Sequence, residues 1–258
     1  MIIVGTAGWA IPRALAGQFP GDGPHLQRYA RVFHGAELNS SFHRAHAVKV
    51  YAKWAALTPA DFRLSVKLPR TITHEARLRG ARAPLVAFLG GVTALGTKLG
   101  PLLVQLPPSL EFDTRVARTF FRLVRELHEG AVVCEPRHAT WLEARADALL
   151  AEYRVGRVAA DPAAVPQAGE PGGYLGPRGD GTDATVYYRL HGAPRKYWDR
   201  YPIECVRAWA GALQRWPRAA QVWCIFDNTA GSAAVENALE CMEAAGVRSA
   251  CRAIARRL

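Results

Sequence analysis

Acidic and basic residues recur two positions apart at the ends of short apolar runs. Such pairs could transfer protons and hold an anion. The pairs are Glu37 with Asn39, Glu135 with Arg137, and Arg189 with His191. Because side chains alternate along a strand, residues two apart lie on the same face. Carboxylates and an imidazole on one face suit general acid–base catalysis, and guanidinium groups bind anionic substrates.

The polar residues that end the runs form one candidate site. The candidate catalytic residues are Glu37, Glu135, His191 and Asp227. The candidate substrate-binding residues are Thr6, Trp9, Asn39, Lys67, His74, Gln105, Arg137, His138, Arg189 and Asn228. We expect Glu37 and Glu135 to be the acid and base and His191 to be a proton shuttle, which requires environments that separate their pKa values. The alternative is an ion-pair network that only fills the interior of the fold, because unpaired buried charge costs several kcal/mol.

The elements that must position these residues are the apolar runs themselves. There are eight of them: Ile2–Val4, Ala36–Leu38, Phe62–Val66, Leu102–Leu106, Ala131–Cys134, Arg157–Ala160, Thr185–Leu190 and Gln221–Phe226. Runs of this length, separated mostly by helical periodicity, predict parallel strands with helical crossovers. Eight such units predict an α/β fold of one domain over 1–258, a (β/α)₈ TIM-like barrel whose site lies at the carboxyl ends of the strands.

One crossover differs from the others. Residues 162–183 are rich in proline and glycine and show no helical period. The sequence therefore predicts an irregular sixth crossover. It is either a flap over the barrel mouth or a surface loop without a role.

Three glycine-rich turns follow predicted strands and suggest an anion site. They are residues 5–8, 191–194 and 228–232. Backbone N–H groups in such turns bind phosphate in many barrels, although tight turns also need glycine for conformational reasons alone. The formal net charge of +11 also favours an anionic partner, either a small molecule or nucleic acid. The basic residues are dispersed, so a solvated basic surface explains the charge equally well.

Several classes of protein lack support in the sequence. No spacing is diagnostic of a metal site and no nucleophile elbow is present, so we expect no cofactor and do not favour a divalent metal. The five cysteines show no CxxC pair, which is typical of a reducing cytoplasm. We find no signal peptide and no apolar stretch of membrane-spanning length, and expect a cytoplasmic protein without membrane contact. The oligomeric state is left open.

Seven segments taken together resemble the YecE-like family of uncharacterised proteins, domain of unknown function 72. They are GTAGW at 5–9, ELNSSFH at 37–43, KLPRTITH at 67–74, LGPLLVQLPP at 99–108, EPRHATW at 135–141, RLHG at 189–192 and FDNTAGSAAVENA at 226–238. The resemblance spans nearly the whole chain and implies a TIM-like barrel, but it supplies no reaction. Ala7 stands where the family generally has Ser, and His43 where it often has Tyr, so a hydroxyl role at either position is not carried over.

These observations lead to two hypotheses on function, and whether the chain is an enzyme is left open. The first is an acid–base enzyme of hydrolase or lyase type that acts on a phosphate-bearing substrate at the carboxyl ends of the strands. The alternative is a non-catalytic protein that binds nucleic acid or senses an anionic metabolite.

Overall fold

The α/β architecture expected from the sequence is present in the computed structural model, which describes residues 1–249. The predicted single domain covers 1–258, so its last residues, 250–258, with Cys251, lie outside the described residues. The strands are β1 Ile2–Thr6, β2 Gly35–Leu38, β3 Arg63–Lys67, β4 Leu99–Gln105, β5 Val132–Glu135, β6 Val155–Arg157, β7 Ala159–Asp161, β8 Gly172–Gly173, β9 Thr185–Leu190 and β10 Gln221–Phe226. The α-helices are α1 His25–Tyr29, α2 Ser40–His43, α3 Val48–Leu57, α4 Arg82–Val92, α5 Thr114–Leu127, α6 Ala144–Glu152, α7 Ile203–Gln214 and α8 Ala234–Ala244.

The strands pair in two sheets, with orders β1-β10-β9-β7 and β2-β3-β4-β5-β6-β8. Every pair is parallel except β6 with the two-residue β8. The two sheets are joined at both ends. A parallel bridge connects Ala7 to Glu37 after β1. On the other side the chain passes directly from β6 to β7 through Val158, whose N–H donates to Cys134 O at 2.8 Å. These pairings are compatible with the predicted eight-stranded barrel.

The strands contribute side chains to two apolar clusters. A small cluster consists of side chains from both sheets: Ile3, Leu103, Val133, Val158, Tyr187, Trp223 and Ile225. The larger cluster lies between the strands and the helices. Alternation therefore places side chains of β1, β4, β5, β9 and β10 in the small cluster, and Gln105, Glu135 and Arg189 continue the same strand faces.

Local sequence explains individual elements. Asp113 caps α5 by accepting hydrogen bonds from the N–H groups of Arg115 and Val116 at 2.9 and 3.0 Å. Strands β1 and β2 approach closely because both carry glycine. A Cβ on Gly5 would lie 2.2 Å from Gly35 O. This approach permits the bridge that joins the two sheets.

The sixth crossover is irregular, as predicted. Between β7 and β9, within the described chain, it contains a 3₁₀ helix at Pro166–Gly169 and the short β8, but no α-helix. The Arg157 guanidinium donates to Gln167 O and Glu170 O at 2.7 and 2.9 Å, which fixes this part of the crossover beside β6. The role of residues 162–183 as a flap stays a prediction.

Candidate functional site

The centre of the site is the Arg189 guanidinium, which is completely buried and contacts three carboxylates. Its Nε and Nη2 donate to Glu37 Oε2 and Oε1 at 2.9 and 2.7 Å. Nη2 also donates to Asp227 Oδ2 at 2.8 Å, and Nη1 donates to Glu135 Oε2. The ends of β2, β5, β9 and β10 supply these four residues, so the predicted convergence of strand ends is present.

Glu37 is held from a second side. The Tyr187 hydroxyl donates to Glu37 Oε2 at 2.9 Å and lies 3.0 Å from Ser65 Oγ. Ser65 in turn donates to Pro101 O at 3.0 Å. Both carboxylate oxygens of Glu37 are therefore occupied in an environment without solvent, and this geometry suits the positioning of Arg189.

His191 connects the two other acids. Its Nδ1 lies 3.1 Å from Asp227 Oδ2 and its Nε2 lies 3.3 Å from Glu135 Oε1. Arg137 Nε donates to the same Glu135 oxygen at 3.0 Å. Asp227 is the most accessible of the three carboxylates, with 11% of its side chain exposed. The imidazole therefore bridges Glu135 and Asp227, and Asp227 is the one of these two carboxylates nearer to solvent.

The charges of the site control its protonation. Burial raises the pKa of Glu135, but the charges of Arg189 and Arg137 outweigh burial and hold that pKa well below its usual range. The pKa of Asp227 is lowered in the same way, since Arg189 and the contact with His191 outweigh its burial. Both acids are therefore ionised at neutral pH.

Lys67 is a cation of this site that has no carboxylate partner among the described residues. It ends β3, is 8% exposed, and its Nζ lies 4.1 Å from the centroid of the Phe42 ring. Among residues 1–249 it forms no salt bridge, since the nearby acids are bound by Arg189 and Arg137. Burial, followed by the charge of Arg189, lowers the pKa of Lys67 to about 8. A lysine amine with this pKa can accept or donate a proton near neutral pH.

His74 lies beside Lys67 on a π-helical turn, Thr71–Glu75. Its ring contacts Phe42 edge to face at 4.9 Å, and its Nδ1 lies 2.8 Å from Thr73 Oγ1. Burial and then the charges of Lys67 and Arg137 lower the pKa of His74. Single π-helical turns occur frequently at functional sites. This one is followed by Arg77 and Leu78, whose positive φ values of 49° and 68° are unusual for such residues.

The loop after β9 adds a further cation to the rim. Burial and the charge of Arg137 lower the pKa of Lys196. The neighbouring Tyr197 packs against His191 with ring centroids 5.3 Å apart. Three carboxylates are thus faced by four cations, Arg189, Arg137, Lys67 and Lys196. Of these cations, Arg137 and Lys196 are half-buried, Lys67 is 8% exposed and Arg189 is completely buried.

Several of the residues predicted to bind substrate have structural partners instead. The Thr6 hydroxyl donates to Gly8 O at 2.7 Å and contacts Tyr29 OH at 3.0 Å. Trp9 packs edge to face against Trp54 at 5.3 Å. His138 caps the 3₁₀ helix Ala139–Leu142, where its Nδ1 accepts from Thr140 N at 3.3 Å.

Of the three predicted amide residues, Gln105 lies in the site, whereas Asn228 and Asn39 do not. Gln105 is 4% exposed, lies in register with Glu135, and donates to Leu106 O at 2.7 Å, so it belongs to the wall of the site. Asn228 is fully buried and donates to Asn237 Oδ1 at 3.0 Å, beneath the loop after β10. Asn39 follows the end of β2 in a helical conformation, so strand alternation no longer places it on the face of Glu37.

Three of the backbone donors expected to bind an anion are engaged within the protein. Gly192 N donates to Tyr201 OH at 2.9 Å, and Ala230 N donates to Tyr197 O at 3.0 Å. In the turn after β1, Gly8 N donates to Glu37 O at 2.8 Å. These three N–H groups are therefore not free to bind an anion.

The carboxylates surround the guanidinium of Arg189 and do not form a metal-ion site among the described residues. Within residues 1–249 no group of three or more His, Cys, Asp or Glu side chains is placed to hold a metal ion. The expectation that the protein works without a cofactor stays a prediction.

Sequence reasoning missed three residues of this site: Ser65, Tyr187 and Lys196. Two of them carried a usable signal. Ser65 and Tyr187 lie two positions before Lys67 and Arg189, on the same strand faces. Lys196 lies in the connection after β9, where strand alternation gives no placement.

The strands and this site define an α/β protein with parallel sheets and a buried ion network at the carboxyl ends of its strands. A profile described as "Protein of unknown function DUF72" matches residues 3–256, and the chain belongs to this family. It is 31% identical over 107 residues to the UPF0759 protein YecE of Escherichia coli K12, which covers 42% of this chain and 38% of that protein. The chain thus spans well under half the length of the curated relative it matches.

Solved structures agree with this assignment. A DUF72 family protein from Enterococcus faecalis V583 superposes with a TM-score of 0.77 at 19% identity, covering 95% of this chain and 96% of that one. A DUF72 family protein from Thermotoga maritima MSB8 gives a TM-score of 0.75 at 22% identity, covering 94% of this chain and 98% of the other. These similarities show that the fold is shared. Separately, none of the helices in residues 1–249 combines the length and apolar character needed to span a bilayer.

Proposed function

We propose that this protein is an acid–base enzyme, of hydrolase or lyase type, that acts on a small phosphate-bearing or similarly anionic substrate. The observation that carries the proposal is Lys67, a buried lysine without a salt bridge among the described residues, beside carboxylates that other cations already bind. A structural network needs its charges paired, because each unpaired buried charge is costly. Among residues 1–249 Lys67 has no carboxylate partner, and its charge therefore favours an anionic ligand beside the network.

The proposal gives the charged residues different roles. Arg189 and Glu37 form a fixed support that orients the other groups. Glu135, His191 and Asp227 form the acid–base path, with Asp227 facing the substrate. Lys67, Arg137 and Lys196 hold the anion.

The proposal also includes closure of the strands into a barrel, which is supported by the junctions between the two sheets and by the small cluster that both sheets share. In that arrangement the site lies at the barrel mouth, where TIM-barrel enzymes carry their chemistry. The cytoplasmic location stays a prediction.

Anion binding is tested by thermal denaturation with inorganic phosphate, pyrophosphate and sulfate. At about 100 Kd a bound anion adds about 2.7 kcal/mol, which for a chain of this size raises the melting temperature by roughly 5–10 °C. K67M and R137M should lose the shift. K98M is the matched control, because Lys98 precedes β4 at the opposite end of the strand and donates to Thr58 O at 2.8 Å. An equal shift in K67M, R137M and K98M would contradict the proposal.

One observation favours the nucleic-acid alternative. Trp198 is 45% exposed, and the Arg195 guanidinium lies 4.2 Å from the centroid of its ring. An exposed aromatic ring with cations beside it can stack on a base while the cations contact phosphate. A fluorescent single-stranded oligonucleotide would then bind with an affinity that falls steeply with salt and is weakened in W198A. Absence of binding at low salt excludes this alternative.

A further inference from the structure

The amine of Lys67 can act as a nucleophile when it is unprotonated. We propose that its amine forms a Schiff base with the carbonyl carbon of a small aldehyde or ketone that also carries an anionic group. This inference rests on the proposed function, since it assigns the class of substrate to the same site. It makes Lys67 a nucleophile and leaves the anionic group of the substrate to Arg137 and Lys196.

The choice of residue type is the first argument. The chain has five lysines, Lys49, Lys53, Lys67, Lys98 and Lys196, among 33 lysine and arginine residues. Arginine binds anions at least as well, through its planar fork of donors, but it does not lose its proton. A lysine amine can do so and can then attack a carbonyl. In a chain that otherwise relies on arginine, lysine at the inner end of β3 fits covalent chemistry better than simple charge pairing.

The surroundings of the amine are the second argument. Lys67 Nζ lies over the face of Phe42 at 4.1 Å, and no described carboxylate lies close enough to fix it by a salt bridge. A carboxylate within contact distance would keep the amine protonated. An aromatic face stabilises a cation without removing its freedom to react, and this includes the iminium ion of a Schiff base.

Several titratable groups face this amine from the packed elements. The charge of Arg189 disfavours protonation of Lys67, and the charges of Glu37, Glu135 and Asp227 favour it. From the π-helical turn, His74 shares the Phe42 ring with Lys67. Burial and the neighbouring cations lower the pKa of His74, so its imidazole is largely neutral near pH 7 and can receive a proton from the reacting amine.

The step balances without an oxidant or a reductant. The unprotonated Nζ forms a bond to the carbonyl carbon, and the carbonyl oxygen becomes the hydroxyl of a carbinolamine. The C–O bond then breaks, and the oxygen leaves as water with one proton from the amine and one from solvent or a neighbouring acid. The product is an iminium ion that draws electrons from the adjacent carbon, which is the property that aldol-type, decarboxylation or dehydration chemistry requires.

Reductive trapping tests the inference directly. The full chain is incubated separately with pyruvate, glyoxylate and dihydroxyacetone phosphate, reduced with sodium borohydride, and mapped by peptide mass spectrometry. We expect one adduct per chain, at Lys67, with at least one of the three compounds. The modification of Lys67 should exceed that of the exposed Lys49 and Lys53 at least tenfold.

Variants separate this inference from the proposed function. K67R retains the charge and should bind inorganic phosphate while forming no adduct, whereas K98M should form the adduct as the wild type does. If phosphate binds but no compound labels Lys67 above Lys49 and Lys53, the Schiff base is wrong and the proposed anion site stands. If the adduct forms but phosphate neither binds nor competes, the anion site is wrong. Equal labelling of all lysines overturns the inference.

Discussion

Replacement of Arg189 by methionine should leave three buried carboxylates without their shared cation. The guanidinium is completely buried and is bound by Glu37, Glu135 and Asp227, whose side chains are 0%, 1% and 11% exposed. Removal of one partner from a buried ion pair costs about 3–5 kcal/mol. Because three acids lose the same cation here, we expect R189M to lose at least the upper part of that range. For a chain of this size, a loss of about 4–5 kcal/mol or more lowers the melting temperature by roughly 8–20 °C or more.

The free energy of unfolding of R189M should change with pH in the opposite direction to that of the wild type. In the wild type, Glu135 and Asp227 have lowered pKa values in the folded state, so their contribution is complete above the unfolded values of 4.5 and 3.8 and is lost as pH falls below them. Without Arg189, burial is the dominant influence and raises these pKa values. Protonation then relieves the buried charge, so the deficit of R189M in free energy of unfolding should shrink between pH 7 and pH 5.

Urea denaturation at several pH values provides the measurement, and R157M is the matched control. Arg157 is also buried and binds Asp147 at 2.7 Å, but Asp147 is 31% exposed and can be hydrated when the arginine is removed. R157M should therefore lose less stability, and E37Q/R189M should recover part of the loss of R189M. If R189M is within about 1 kcal/mol of the wild type, or if its deficit grows at lower pH, the idea of a tightly coupled buried network is refuted.

Three further predictions follow from individual contacts. The pKa of Lys67 is about 8 in the folded state and 10.5 ordinarily, so between these pH values the folded state binds fewer protons than the unfolded state. The free energy of unfolding of the wild type relative to K67M, measured by urea denaturation, should therefore rise by up to about 3 kcal/mol from pH 8 to 10.5. A difference that does not change with pH contradicts the lowered pKa. F42L removes the ring below the ammonium and should lower the pKa of Lys67 further, by about 0.5–1 unit in a pH series of amine acylation, with no change in the labelling of Lys49. Y201F removes the bond from the tyrosine hydroxyl to Asp161 Oδ2 at 2.6 Å and should cost about 1–3 kcal/mol by denaturation without altering phosphate binding; a loss of phosphate binding would place Asp161 in the site.

The strands were predictable because apolar runs of fixed length stop where polar residues begin. The seventh and eighth predicted runs coincide with β9 and β10. The sixth run did not reveal that its strand divides at Val158, where pairing passes from β5 on one side to β9 on the other. Such a division depends on the curvature of the whole sheet and leaves no local pattern.

The site was predictable where strand alternation applies. The pairs Glu135 with Arg137 and Arg189 with His191 do lie together, because each stays on one face as its strand ends. Alternation fails for Asn39, where the chain enters α2 directly. Strand alternation also does not show which charged residues form salt bridges, because the partners lie far apart in the chain. It therefore could not predict that arginine binds the acids while Lys67 forms no salt bridge among the described residues.

Lys67 has no salt bridge among residues 1–249, and the proposed function requires its amine to meet an anionic substrate. With only five lysines, selective ¹³C and ¹⁵N labelling of lysine gives an NMR spectrum in which each amine can be assigned by substitution and titrated. We predict that the Lys67 signals titrate with a midpoint near pH 8 and that inorganic phosphate moves this midpoint upward, because a bound anion favours the ammonium form. A midpoint near the ordinary value of 10.5, unaffected by phosphate, would contradict the account.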